Sequence, residues 1–186
     1  MRRTVLTFGL IAGAIMSVMM VLTIPLMDHV EAGRSEIIGY TTMVLAFLMV
    51  FFGVRSYRDN VAGGSVGFGR AFAVGLLITL IACVCYVVTW EIISHTVMTD
   101  FVDKYAAAVL AKARASGASQ QELAATVRQM ADFKKMYSNP FINVAFTFIE
   151  PFPVGLVFTL VCAGILSRKR RRPAAGDALP GGVAAI

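Results

Sequence analysis

The chain has 186 residues, 58% hydrophobic and only 15% charged, with a mean hydropathy of +0.74 and a formal charge of +6. A water-soluble domain of this size cannot hide long uninterrupted apolar blocks and still present a charged surface, so the composition argues for an integral membrane protein. The basic surplus flanks the apolar blocks and shows no recognition-helix or aromatic-basic pattern, which points to membrane orientation and away from nucleic acid.

Arg2 and Arg3 precede a first apolar run over about 5–27. It is too long for the apolar core of a signal peptide, no small-x-small cleavage site follows, and three more runs come after it, so an uncleaved transmembrane helix is expected. Gly9 and Gly13, with Ser17 four residues further on, share one face and mark a surface for close helix packing. The connection DHVEAGRSE is short and net acidic, with Arg34 its only basic residue. A second helix is expected over about 37–54, returning to a loop with Arg55, Arg58 and Arg70 against Asp59. That loop, RSYRDNVAGGSVGFGR, is glycine-rich but has no GxxxxGK[ST] pattern and follows no strand. It is read as flexible turns or an interfacial segment anchored by Phe68 and Phe72, without a phosphate cradle.

A third helix is expected over about 71–93. Tyr86 and Trp90 lie four apart near its far end, suited to the headgroup level, and Glu91 follows at the interface. The polar stretch over about 98–138 predicts a helical hairpin outside the membrane. Its first helix carries Phe101, Tyr105 and Val109 on one face and an i,i+4 pair of Asp100 with Lys104; Ser116-Gly117-Ala118 breaks it, and Ser119 with Glu122 has capping-box spacing for the second. Such a hairpin is too small for its own core, so its apolar faces must lean on the bundle, on lipid or on another subunit.

The fourth run covers about 141–167 and ends at Arg168, Lys169, Arg170, Arg171 and Arg172. This cluster stops transfer and is expected to meet anionic lipid, worth about 1 kcal/mol per basic residue near the surface. Together with Arg2, Arg3, Arg55, Arg58 and Arg70 it opposes Arg34 alone, which predicts both termini on the cytoplasmic side of the membrane. The expected organisation is all-α: a four-helix transmembrane domain over 1–172 with its outer hairpin, then a disordered cytoplasmic tail over 173–186.

Glu150 is the main candidate for chemistry, because a carboxylate within an apolar span must be paired, protonated or turned to a cavity. Pro151 and Pro153 follow it, predict a helix kink, and free carbonyls near residues 147 and 149. A carboxylate beside freed carbonyls is how some transporters hold sodium or protons. The structural alternative is a bend in which Glu150 accepts a hydrogen bond from Ser17, Tyr86 or Thr79, or lies at the interface. His29 and His95, with Glu91, Asp28 and Glu31, are the outer-rim titratable groups a membrane enzyme would use. They form no HExxH-type ligand spacing, and no GxSxG context is present, so no catalytic residue, metal or cofactor is predicted. Cys83, Cys85 and Cys162 lie in apolar segments without a CxxC pair and are read as packing residues.

The opening RRTVLTFGLIAG, the stretch SYRDNVAGGSVGFGRAFAVGLLITLIA, the outer GASQQELAATVRQMADF and the final EPFPVGLVFTLVCAGIL occur in an order that resembles the bacterial membrane protein family catalogued as domain of unknown function 4199. The family is most often found in Bacteroidetes and also in some proteobacteria. The resemblance implies a four-helix inner-membrane protein with no assigned activity, and it carries over no catalytic residues. The expected function is therefore a structural or accessory role through helix-helix or hairpin contacts, with lipid and a homo-oligomer or partner membrane protein as partners. The alternatives are a small oligomeric ion- or proton-coupled transport module using Glu150, and a membrane enzyme of the outer rim.

Overall fold

A computed structural model describes residues 1–27 and 32–167, and every regular element among them is helical. The order is α1 (Arg2–Met27), α2 (Ala32–Asn60), α3 (Phe68–Thr96), α4 (Phe101–Ala115), α5 (Gln120–Tyr137), α6 (Pro140–Ile149) and α7 (Pro151–Leu166). Among the described residues four stretches are long and apolar enough to cross a membrane: Arg2–Ile24, Ile37–Asn60, Phe68–Thr96 and Pro140–Leu166, the last formed by α6 and α7 in series. The shortest has 23 residues, about 34 Å of helix against a hydrocarbon core of about 30 Å.

The second helix runs further than its apolar stretch, so Arg55 and Arg58 sit on its last turns and not in a loop. Arg55 lies 3.7 Å from Asp59 at i,i+4 spacing, and Arg58 Nε donates to the same carboxylate at 2.7 Å. Polar helix formers continue the backbone ladder past the apolar region. The glycine-rich connection shrinks to 61–67, where Gly63 (φ +68°) and Gly64 (φ +88°) turn the chain in a conformation other residues rarely adopt.

In the bundle, α1 packs on α2 and α3, and α7 packs on the same two, while α2 meets α3 across the short diagonal. This leaves α1 and α7 at opposite corners. The centre is closed by Phe47 and Val50 of α2 and Val74 and Ile78 of α3, all 0% exposed. Small residues set the spacing. A Cβ at Gly155 would lie 2.4 Å from Thr79 Cγ2 and 2.8 Å from the Phe47 ring, so α7 approaches closer than any side chain permits. The polar groups there are satisfied locally: Thr79 Oγ1 lies 3.0 Å from Thr159 Oγ1 and 3.4 Å from the Gly155 carbonyl. Outward faces of α1 remain apolar, with Leu6, Leu10, Val18, Val21 and Leu22 exposed, as a lipid environment requires.

Neither α4 nor α5 buries a residue fully. They pack on each other, Asp103 pairs with Lys134, and α5 rests on α6. Gly117 (φ +77°) ends α4, and Ser119 opens α5 with a complete capping box: Ser119 N–H donates to Glu122 Oε2 at 2.7 Å and Glu122 N–H to Ser119 Oγ at 3.3 Å. An aromatic ladder ties the hairpin to α3, with Trp90 edge-on to Phe101 at 4.9 Å and Phe133 beside Tyr137 at 5.4 Å.

Candidate functional site

The fourth span is interrupted at Glu150, the residue shared by the end of α6 and the start of α7. Its backbone stays right-handed helical (φ −66°, ψ −58°), but Pro151 and Pro153 carry no N–H, so the carbonyls of Thr147 and Ile149 have no donor one turn on. Glu150 follows Pro140, the first residue of the span, by ten positions, about 15 Å along the axis. Its side chain is exposed on the single chain, and the Tyr86 hydroxyl of α3 donates to Oε2 at 3.1 Å.

The other expected partners are engaged elsewhere. Thr79 pairs with Thr159. Ser17 Oγ lies 2.7 Å from Thr89 Oγ1, and since Thr89 donates to the Cys85 carbonyl at 2.8 Å, Ser17 is the donor across α1 and α3. Gly9 and Gly13 face the same helix: added Cβ atoms would lie 2.8 Å from Ile81 Cβ and 2.6 Å from Cys85 Cβ.

Beside the Tyr86–Glu150 pair the bundle opens into a cleft of about 100 Å³, walled by Met16, Met19 and Met20 of α1 and Met43 of α2. The sequence reading missed this cleft. The i, i+3, i+4 spacing of the α1 methionines was its visible signal, but Met43 and Tyr86 arrive from other helices.

A second polar group gathers at the hairpin end of α3. Trp90 Nε1–H donates to the Tyr137 hydroxyl at 2.9 Å. Burial pushes the Tyr137 phenol above its ordinary value; the hydrogen bonds with Trp90 and Thr147 oppose this, and the Glu91 and Glu150 carboxylates add to it. Glu91 Oε1 is enclosed with no hydrogen-bond partner among the described residues, while Oε2 lies 3.8 Å from His95 Nδ1. His95 is exposed on the last turn of α3, and its Nδ1 is 2.8 Å from the Glu91 carbonyl, a contact that calls for the Nδ1–H tautomer. Thus Glu91 and His95 are neighbours, and Glu150 belongs to the separate Tyr86 cleft. His29, Arg168, Lys169, Arg170, Arg171 and Arg172 lie outside the described residues. Among the described residues no three His, Cys, Asp or Glu side chains are grouped to hold a metal, and the three cysteines are free thiols.

Four long apolar helices in a closed bundle, with a helical hairpin at one end, are the architecture of a polytopic all-α membrane protein. The chain belongs to the DUF4199 family of proteins of unknown function, whose sequence profile matches residues 7–168. The match runs from the first candidate span through the last. No curated protein and no solved structure matches the chain.

Proposed function

We propose that the chain is an accessory protein of a bacterial inner membrane, with both termini in the cytoplasm. It works through contacts of its hairpin and lipid-facing helices with a partner membrane protein or a second copy. The observation that carries this reading is the closed bundle centre, where Phe47, Val50, Ile78, Thr79 and Thr159 are 0% exposed and the threonines satisfy each other. Among the described residues no charged side chain is buried in that centre. Orientation is supported by the topology, which gathers Arg2, Arg3, Arg55, Arg58 and Arg70 at the end away from the hairpin.

The competing reading is an oligomeric ion- or proton-coupled transport module, favoured by the Glu150 carboxylate facing a cleft. Reconstitution decides between them. Proteoliposomes with an imposed proton or sodium gradient are expected to show no flux above empty vesicles. A flux that Glu150→Gln abolishes would overturn the accessory reading.

A further inference from the structure

All four candidate spans contribute to the cleft: Met16, Met19, Met20 and Thr23 from the first, Thr42 and Met43 from the second, Tyr86 from the third and Glu150 from the fourth. Its hydroxyl hydrogens are already directed at protein acceptors. Thr23 Oγ1 donates to the Met19 carbonyl at 2.7 Å, Thr42 Oγ1 to the Ile38 carbonyl at 2.9 Å, and the Tyr86 hydroxyl to Glu150 Oε2 at 3.1 Å. What remains toward the open space is lone pairs: the carboxylate, the hydroxyl oxygens and the thioether sulfurs. Among the described residues no basic side chain forms an ion pair with Glu150.

A lining with acceptors, a carboxylate and no free side-chain donor is complementary to a cation that brings its own N–H groups. The four methionines give an apolar wall that adapts to the shape of a chain, and the Tyr86 ring favours positive charge over its face. A space of about 100 Å³ admits an ammonium head and a few methylenes, not a bulky polycyclic ligand. We propose that this cleft binds a primary ammonium group on a short alkyl stem, its N–H donors on Glu150 and its methylenes against Met16, Met19, Met20 and Met43. A free amphiphilic amine and an aminophospholipid head group both carry this ammonium, and the test below distinguishes the two sources. The site does not depend on the accessory reading or on which way the chain is inserted.

The test uses the full chain in phosphatidylcholine nanodiscs, titrated calorimetrically with hexylamine and with hexanol as its neutral counterpart. Hexylamine is expected to bind saturably, one per chain, and hexanol not to bind. Two variants probe charge and space separately. Glu150→Gln removes the anion; Gly39→Leu fills the cleft, since Gly39 lines it and an added Cβ there meets no atom within 4 Å. Each is expected to weaken hexylamine binding about tenfold or more, with Trp90 fluorescence melts confirming that both variants fold. Hexanol binding as well as hexylamine, or affinity unchanged in both variants, would overturn the proposal. So would silver(I) binding that Met16→Leu removes in a protein that takes up no amine, which would assign the cleft to a soft metal. In phosphatidylethanolamine nanodiscs, lipid retained in native mass spectra and displaced by hexylamine supports the head-group source. Hexylamine binding without lipid retention supports the free amine.

Discussion

The Tyr86 hydroxyl of α3 donates to the Glu150 carboxylate at 3.1 Å, at the point where the fourth span loses its own backbone bonds to Pro151 and Pro153. A neighbouring helix thereby anchors the interruption. Tyr86→Phe keeps the ring and removes only the donor, so unfolding should become easier by about 1 kcal/mol. The reading is a lowered thermal midpoint in micelles. An unchanged midpoint would mean the junction is held by packing alone.

Gly155 and Gly164 lie on the same helix with opposite surroundings. A Cβ at Gly155 would sit 2.4 Å from Thr79 Cγ2 and 2.8 Å from Phe47, both in the closed centre, whereas at Gly164 it meets nothing within 4 Å. Gly155→Ala should therefore cost about 1–3 kcal/mol through overpacking, and Gly164→Ala should be neutral or slightly stabilising. Paired thermal melts check this, and equal effects at the two sites would contradict the close approach of α7.

The hairpin is clasped to α3 by the Trp90 indole donating to Tyr137 at 2.9 Å, with Lys134 and Lys135 exposed one turn before. Tyr137→Phe preserves the ring contacts with Phe133 and Phe101 but leaves the indole N–H without its acceptor. Losing about 1 kcal/mol locally raises the opened population about fivefold. Limited trypsin cleavage at Lys134 and Lys135 should accelerate by that factor, and an unchanged rate would show that the aromatic ladder suffices.

The four spans were legible because each apolar block exceeds what a soluble domain can bury, and the capping box because its signal is local, between Ser119 and Glu122. The end of α2 was not. Past Val54 the helix runs in a polar stretch where Arg55 pairs with Asp59, and hydropathy marks only the apolar part. The partner of Glu150 remained one of three hydroxyls until helix register was known, since Ser17, Thr79 and Tyr86 are all reachable in principle and only packing sends Ser17 to Thr89 and Thr79 to Thr159. The methionine cleft was illegible for a related reason. Methionine reads as core filler along one helix, and it becomes a wall only when α1 and α2 are brought beside Tyr86.

The N-terminus of α5 should respond to acid. The Ser119 backbone N–H and hydroxyl hold the Glu122 carboxyl below its ordinary value, with a minor opposing effect of burial. A carboxylate whose folded value is depressed contributes stability that is complete above its unfolded value and is lost as pH falls through the folded one. Amide exchange in the first turn of α5, corrected for intrinsic rates, should thus be slow near neutrality and quicken below about pH 4. In Glu122→Ala the acid-dependent change should disappear, because the carboxylate half of the capping box is missing at every pH while Ser119 Oγ still accepts from the backbone N–H of residue 122. Exchange in the wild type that does not change across this window would remove Glu122 as the group holding the turn.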